Sequence, residues 1–233
     1  MLLVAFITVI AIAGAVAGVL TSASASFRQL VPFSSGLLFG MALFLILPEA
    51  FQAGERMLVA GFCILGCFLF GLMETALHSV HPSPVRTSIG LLPLVTAVGL
   101  HSLLDGWNIA FAMHFTDRGL MIAFMIGMSL HKLAGGIALG AIFRAAEPQR
   151  DRAIAWAAGC ELMTVVGAFL NTSISQQVSG HSMTLLLAAT GGSFLYLGYH
   201  SIQVARRRCG LRPTVAVAAL GFASIGLISL LHR

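Results

Sequence analysis

The stretch from Gly99 to Phe143 reads GLHSLLDGWNIAFAMHF, then TDRG, then LMIAFMIGMSLHKLAGGIALGAIF. Each apolar half is long enough to cross a bilayer, for which a helix needs about 20 residues. Ionisable residues nonetheless lie near the middle of both halves: His101 and Asp105 in the first, His131 and Lys132 in the second. Charged groups are unfavourable at bilayer depth and persist there with a partner or a function. The stretch therefore predicts two membrane helices that share a polar site.

The spacing of these residues indicates a metal site. His101 and Asp105 are four residues apart, so a helix places them on one face. The short connection TDRG makes the next helix an antiparallel neighbour, and His131 can then face the pair. Two imidazoles and a carboxylate suit Zn2+, with Fe2+, Cd2+, Co2+ and Mn2+ as alternatives, better than Ca2+ or Mg2+. The simpler alternative is a buried His–Asp hydrogen bond that holds two helices together.

Four further residues are candidates for a role at this site. Asn108 shares the helix face of Asp105, and Ser102 directly follows the first histidine of the cluster. Glu49 follows Pro48 near a helix end, where a carboxylate could attract cations. Glu161 could help at the site, but we favour an ion pair with Lys132, the only lysine of the chain. A buried lysine requires such a partner.

The composition predicts an all-α polytopic membrane protein. Of the 233 residues, 58% are hydrophobic and 9% are charged, and the mean hydropathy is +0.95. This corresponds to a single transmembrane domain over residues 1–233. The first apolar run lacks the basic start of a signal peptide, so we interpret it as a retained helix. Eight helices are expected, at about Leu2–Leu20, Pro32–Phe51, Met57–His78, Ile89–His114, Gly119–Arg144, Arg152–Leu170, Met183–Ala205 and Pro213–Leu231.

The arginines predict the orientation in the membrane. Nine lie in the odd-numbered connections between helices: Arg28, Arg86, Arg144, Arg150, Arg152, Arg206, Arg207, Arg208 and Arg212. Only Arg56, Arg118 and Arg233 fall on the other face. The positive-inside rule places the arginine-rich face in the cytoplasm and both termini on the non-cytoplasmic side. An integral protein of the cell (inner) membrane is the expected localisation. Because the arginines lie in these short loops, we expect no nucleic-acid partner.

A faint internal repeat suggests how the helices are arranged. The segment GLLFGMALFLILPEAF, residues 36–51, is similar to GGSFLYLGYHSI, residues 191–202. If helices 1–3 and 6–8 are repeats, the odd number of helices in each makes them inverted, as in many transporters. Helices 4 and 5 would then form the centre of a 3+2+3 bundle.

Four short motifs resemble those of the ZIP (Zrt/Irt-like) divalent-metal transporters. HSLLDG at 101–106 and HKLAGG at 131–136 resemble the paired motifs of the family's helices 4 and 5. LPEA at 47–50 is similar to the end of its helix 2, and GGSFLYLG at 191–198 to its helix 7. The resemblance implies that His101, Asp105 and His131 bind the transported metal. It also implies movement of that metal into the cytoplasm.

The chain departs from the family pattern at two carboxylate positions. Asp105 stands where glutamate is usual, and Gly135 stands where many members have glutamate. The His-Lys pair at 131–132 resembles a branch thought to hold one metal rather than two.

We therefore expect a metal-ion permease and not an enzyme, with no resident cofactor. Its partners would be the transported divalent ion and the lipid bilayer, and a homodimer is compatible with the sequence. The first alternative is a membrane-embedded zinc hydrolase, in which Ser102 or Glu161 assists a metal-bound water. The second is a metal-sensing relative that keeps the fold but does not transport.

Overall fold

The computed structural model describes residues 1–21, 29–80, 88–115, 117–175 and 180–231. These described residues form eight long helices and no strand. The predicted number of helices is therefore confirmed, and most helices extend a few residues beyond the predicted ends. The helices are α1 (Leu2–Thr21), α2 (Leu30–Ala53), α3 (Arg56–Val80), α4 (Ser88–Ala112), α5 (Arg118–Ala146), α6 (Arg150–Ser175), α7 (Gly180–Cys209) and α8 (Leu211–Leu231).

The distribution of polarity is that of a polytopic membrane protein. Among the described residues, α1, α2, α5, α6 and α8 are each long and apolar enough to cross a membrane. Large apolar side chains lie on the outside, with Leu2 91% and Met57 80% exposed. Three charged side chains lie inside: Asp105, Lys132 and Glu161 are 1%, 3% and 4% exposed. Lipid offers no hydrogen-bond partners, so the polar groups of a membrane protein must find their partners within the protein. The observed distribution of side chains meets this requirement.

Helix α2 is not a uniform α-helix. Residues Met41–Ile46 form π-helical turns, and a regular α-helical stretch follows from Leu47 to Ala53. Pro48, the second residue of that stretch, has no N–H and cannot donate to a carbonyl four residues earlier. Wider turns before a proline are a common response, and π-helical turns are frequent near functional sites.

Glycines set the closest helix contacts. On the α1–α5 seam, a methyl group at Gly140 would overlap the backbone carbonyl of Ala15, and one at Gly18 would overlap that of Ile137. The α4–α6 seam is built in the same way, since Gly167 lies against the backbone of Leu103. Small residues allow this close approach, which stabilises helix pairs in a membrane. Gly136, one turn before Gly140 on α5, lies against the backbone of Ala11 in the same way.

The eight helices form two similar groups. In the first group α1 pairs with α5, α4 pairs with α6, and α1 also contacts α6. In the second group α2 pairs with α8, α3 pairs with α7, and α2 also contacts α7. The groups meet mainly where α2 crosses α5. The short connection between α4 and α5 predicted that these two helices pack directly on each other. Their contact is minor, because each of them packs mainly on another helix.

These pairs obey an internal two-fold relation. Exchanging α1 with α6, α2 with α7, α3 with α8 and α4 with α5 converts each seam into another observed seam. The register is also kept: Gly36 of α2 packs on Ala218 of α8, and Gly192 of α7 packs on Cys63 of α3. Because the exchange relates odd-numbered to even-numbered helices, which run in opposite directions, the repeat is inverted. The packing thus agrees with the predicted 3+2+3 arrangement.

The glycine seams predict a contrast between two substitutions on α6. Gly167→Ala should lower the free energy of unfolding by about 1–3 kcal/mol or more, because the new methyl overlaps a backbone carbonyl that cannot rotate away. Gly159→Ala should be neutral, or stabilising by up to about 1 kcal/mol from helix propensity, because its Cβ would point into open space. Thermal unfolding in detergent compares the two. Equal stabilities would contradict the seam.

Candidate metal centre

The structure brings the three predicted metal ligands together. Oδ2 of Asp105 lies 3.5 Å from Nε2 of His101 and 3.8 Å from Nε2 of His131. One ligand atom from each of the three residues lies within 4.8 Å of the other two. A tetrahedral Zn2+ with bonds of about 2.0–2.2 Å holds its ligand atoms about 3.3–3.6 Å apart. The cluster therefore has nearly the dimensions of a metal site, and a small contraction would complete it.

Asp105 is a buried anion without the usual donors. Neither of its carboxylate oxygens accepts a well-aligned hydrogen bond from any described residue. Its opposite charge comes from Lys132, whose Nζ lies 3.2 Å from Oδ2. A buried carboxylate ordinarily needs hydrogen bonds or cations around all of its lone pairs. The carboxylate of Asp105, with two imidazoles beside its Oδ2, is thus suited to a metal cation.

Lys132 contacts the same oxygen of Asp105 as the two histidines and belongs to a wider charged network. Its Nζ is 2.5 Å from Oε2 of Glu161 and 3.4 Å from Oγ of Ser102. The predicted ion pair between α5 and α6 is therefore present. Since Lys132 and Glu161 neutralise each other, the net negative charge of Asp105 remains for a further cation.

A cavity connects the cluster with one side of the molecule. It has a volume of about 290 Å3. Beyond the cluster its walls come from the first turns of α2, the first half of α4, and the second halves of α5 and α7: Val31, Ser35, Ala97, Ile142, Leu197 and Ser201. For helices of alternating direction, all these segments lie on one side of the cluster. Gly135 widens this space, because no described atom lies within 4 Å of where its Cβ would be.

The opposite side of the cluster is packed with apolar side chains. Met41, Ile109, Phe124 and Met128 are almost wholly buried there and belong to one hydrophobic cluster. Gly127, one turn before His131 on α5, packs tightly against Met41 and therefore leaves no open space on this side of the histidine. The three predicted ligands thus lie at the inner end of the cavity, and an apolar layer closes the other side of the cluster.

Two hydrogen bonds join the cluster region of the first helix group to the second. Oγ of Ser34, on α2, lies 2.7 Å from Nδ1 of His131. Thr190, on α7, donates to the amide oxygen of Asn108 at 3.0 Å. Asn108 was a candidate ligand, and the structure places its oxygen in this contact instead. Ser34 was not among the predicted site residues, because its only signal in the sequence is that it is one of two adjacent serines in an apolar helix.

The two remaining candidate residues lie in different places. Ser102 lines the cavity and contacts Lys132, beside the metal cluster. Glu49 lines a separate pocket together with Gln52 and Asp117, towards the end of α2. A cation-attracting role for Glu49 remains a prediction.

Comparisons with known proteins do not assign the chain. No known protein family matches the sequence, and no curated protein is significantly similar to it. The functional argument therefore rests on the fold and on this cluster.

Proposed function

We propose that the protein is a transporter of divalent transition-metal ions. The observation that carries the proposal is the His101–Asp105–His131 cluster, of which Asp105 and His131 are buried, at the inner end of a cavity that extends towards one side of the helix bundle. Zn2+ fits this ligand set best, and Fe2+, Cd2+, Co2+ and Mn2+ are alternatives. The four motifs that resemble the ZIP family support the same function.

The ligand set suits transient binding. Two neutral nitrogens and one carboxylate leave room for water on the ion, and a transported ion must be released as well as bound. Lys132 lowers the negative potential at Asp105, because its ammonium lies 3.2 Å from the carboxylate. The site therefore binds metal less tightly than three ligands alone would, which favours release.

The inverted repeat supports alternating access. In such proteins the two repeats exchange conformations, so that a central site faces first one side and then the other. One side of the cluster is closed here, and the other has the cavity. By the arginine distribution we expect the cavity to face the cytoplasm, and we assign this conformation to the state that would release metal into the cell.

The contacts of Glu161 favour transport over hydrolysis. A zinc hydrolase needs an acid or base close to a metal-bound water. Glu161 has the position for such a group, but its carboxylate is engaged with Lys132. The contact with Lys132 favours a structural role for Glu161. It also favours a metal ion, and not a molecule to be hydrolysed, as the substrate.

Uptake into proteoliposomes tests the proposal. Vesicles that contain the purified protein and a trapped metal indicator should take up Zn2+, and the rate should saturate with the outside concentration. Ca2+ and Mg2+ should neither enter nor compete, because they prefer oxygen ligands. Metal binding without uptake would indicate a sensor. Hydrolysis of a lipid ester without uptake would indicate an enzyme.

The orientation is tested separately. Reporter tags at both ends of the chain should be accessible to antibodies on intact cells, since the arginine-rich connections are expected in the cytoplasm. A tag that becomes accessible only after permeabilisation would reverse the orientation and the direction of transport.

A further inference from the structure

His131 contacts a residue from outside its own helix group through its second nitrogen. Its Nε2 faces Asp105, and its Nδ1 lies 2.7 Å from Oγ of Ser34. Both side chains are buried, with Ser34 7% and His131 4% exposed. The histidine therefore has one nitrogen directed to the metal cluster and the other to a single hydroxyl group.

This geometry constrains where the imidazole proton lies. A neutral imidazole carries one N–H donor and one acceptor nitrogen, and only the acceptor can bind a metal. For Nε2 to act as a ligand, Nδ1 must carry the proton and donate it to an oxygen. Among the contacts of His131, Oγ of Ser34 is the oxygen within hydrogen-bond distance of Nδ1.

We propose that Ser34 is a positioning residue for the metal: it accepts the Nδ1 proton of His131 and so holds Nε2 in the metal-binding tautomer. This inference rests on the proposed function, since it assumes that the cluster binds metal. A hydroxyl group also suits the metal-free state, because it can rotate and donate to Nδ1 while Nε2–H points to Asp105. Ser34 thus permits both tautomers, as a carbonyl oxygen in its place would not.

The neighbouring serine, Ser35, makes its hydrogen bond within its own helix. Ser35 is equally buried, but its hydroxyl donates to the backbone oxygen of Val31, one turn earlier in the same helix. Both serines line the same cavity. Ser35→Ala is therefore a matched control for Ser34→Ala: each variant loses one buried hydroxyl from α2, and only one of them loses a contact with a metal ligand.

The test is a titration of the purified full-length protein with Co2+, followed by the visible absorption of the bound ion. Loss of a group that orients a metal-bound histidine typically weakens binding by about 10–100-fold. We expect Ser34→Ala to show a loss of this size, with an unchanged spectrum at saturation because the ligands are the same. Ser35→Ala should bind within about twofold of the unmodified protein, since its hydroxyl does not touch a metal ligand.

Two further variants separate positioning from packing. Ser34→Thr keeps the oxygen and should recover most of the affinity, whereas Ser34→Cys keeps the size but offers a weak acceptor and should not. In Ser34→Ala, the KM for Co2+ transport should change more than the maximal rate.

Equal Co2+ affinities of Ser34→Ala and Ser35→Ala would overturn the role of Ser34 but leave the metal centre in place. Absence of Co2+ binding in the unmodified protein would overturn the metal centre itself, and this inference with it.

Discussion

Replacement of Asp105 by alanine should abolish metal uptake and leave the protein folded in the membrane. Asp105 is the anionic member of the cluster and faces both histidines. Loss of a group that only orients a metal ligand weakens metal binding by about 10–100-fold. Loss of Asp105, which is itself a ligand, should weaken binding by more than this. The fold should survive, because Lys132 keeps its ion pair with Glu161. Uptake in proteoliposomes and Co2+ titration measure the effect.

The two histidines should behave in the same way. His101→Ala and His131→Ala each remove one nitrogen ligand and should eliminate measurable uptake. His114→Ala is the control, since His114 lies at the exposed end of α4 with its ring near Phe111. Normal uptake in all three cluster variants would rule out metal transport through these residues. A loss of folded protein in the histidine variants, with uptake otherwise intact, would favour a structural His–Asp contact.

Removal of Lys132 should produce a second metal site. Lys132→Ala leaves Asp105 and Glu161 buried without the ammonium that now contacts both. Breaking a buried ion pair by removal of one partner usually costs about 3–5 kcal/mol of stability. We expect the metal-free variant to be destabilised by this amount. A divalent ion can take the place of the ammonium, so added Zn2+ should restore stability, with two metals per chain instead of one.

The double variant Lys132→Ala with Glu161→Gln is the control for this effect. It removes one positive and one negative charge together, so it should regain stability without metal and bind one ion. Like charges about 4 Å apart interact by about 4 kcal/mol at an effective dielectric near 20, which explains why the lysine excludes a second cation. Metal content is measured by mass spectrometry of purified protein. Two ions per chain in the unmodified protein would refute this role of Lys132.

The sequence was sufficient for features that depend on local spacing or on burial. The four-residue separation of His101 and Asp105 requires only a helix, and a lone lysine in an apolar helix requires an acidic partner, which is Glu161. The helix count follows from the apolar runs in the same way. These features are largely independent of how distant helices pack.

The features that the sequence did not predict depend on which helix faces meet. Ser34 is 97 residues from His131, and nothing local distinguishes it from Ser35. Glycines are ambiguous for the same reason: Gly135 opens space next to the site, whereas Gly127 lies tightly against Met41. A small residue favours close approach of any helix, so its partner is decided only when the whole bundle packs.

The seams between helices also affect how the protein can be made. Among the described residues, the four most extensive helix seams each join one of the first four helices to one of the last four: α1 to α5, α4 to α6, α3 to α7 and α2 to α8. The amino-terminal half therefore enters the membrane before any of its close partners has been synthesised. Long-range contacts of this kind form late, and Asp105 reaches the bilayer ahead of Lys132, whose ammonium lies 3.2 Å from its carboxylate in the folded protein. Biosynthesis thus has a vulnerable stage. If translation stalls after α4, the first four helices remain in the membrane without the helices they pack on, and quality control would have to remove this incomplete chain.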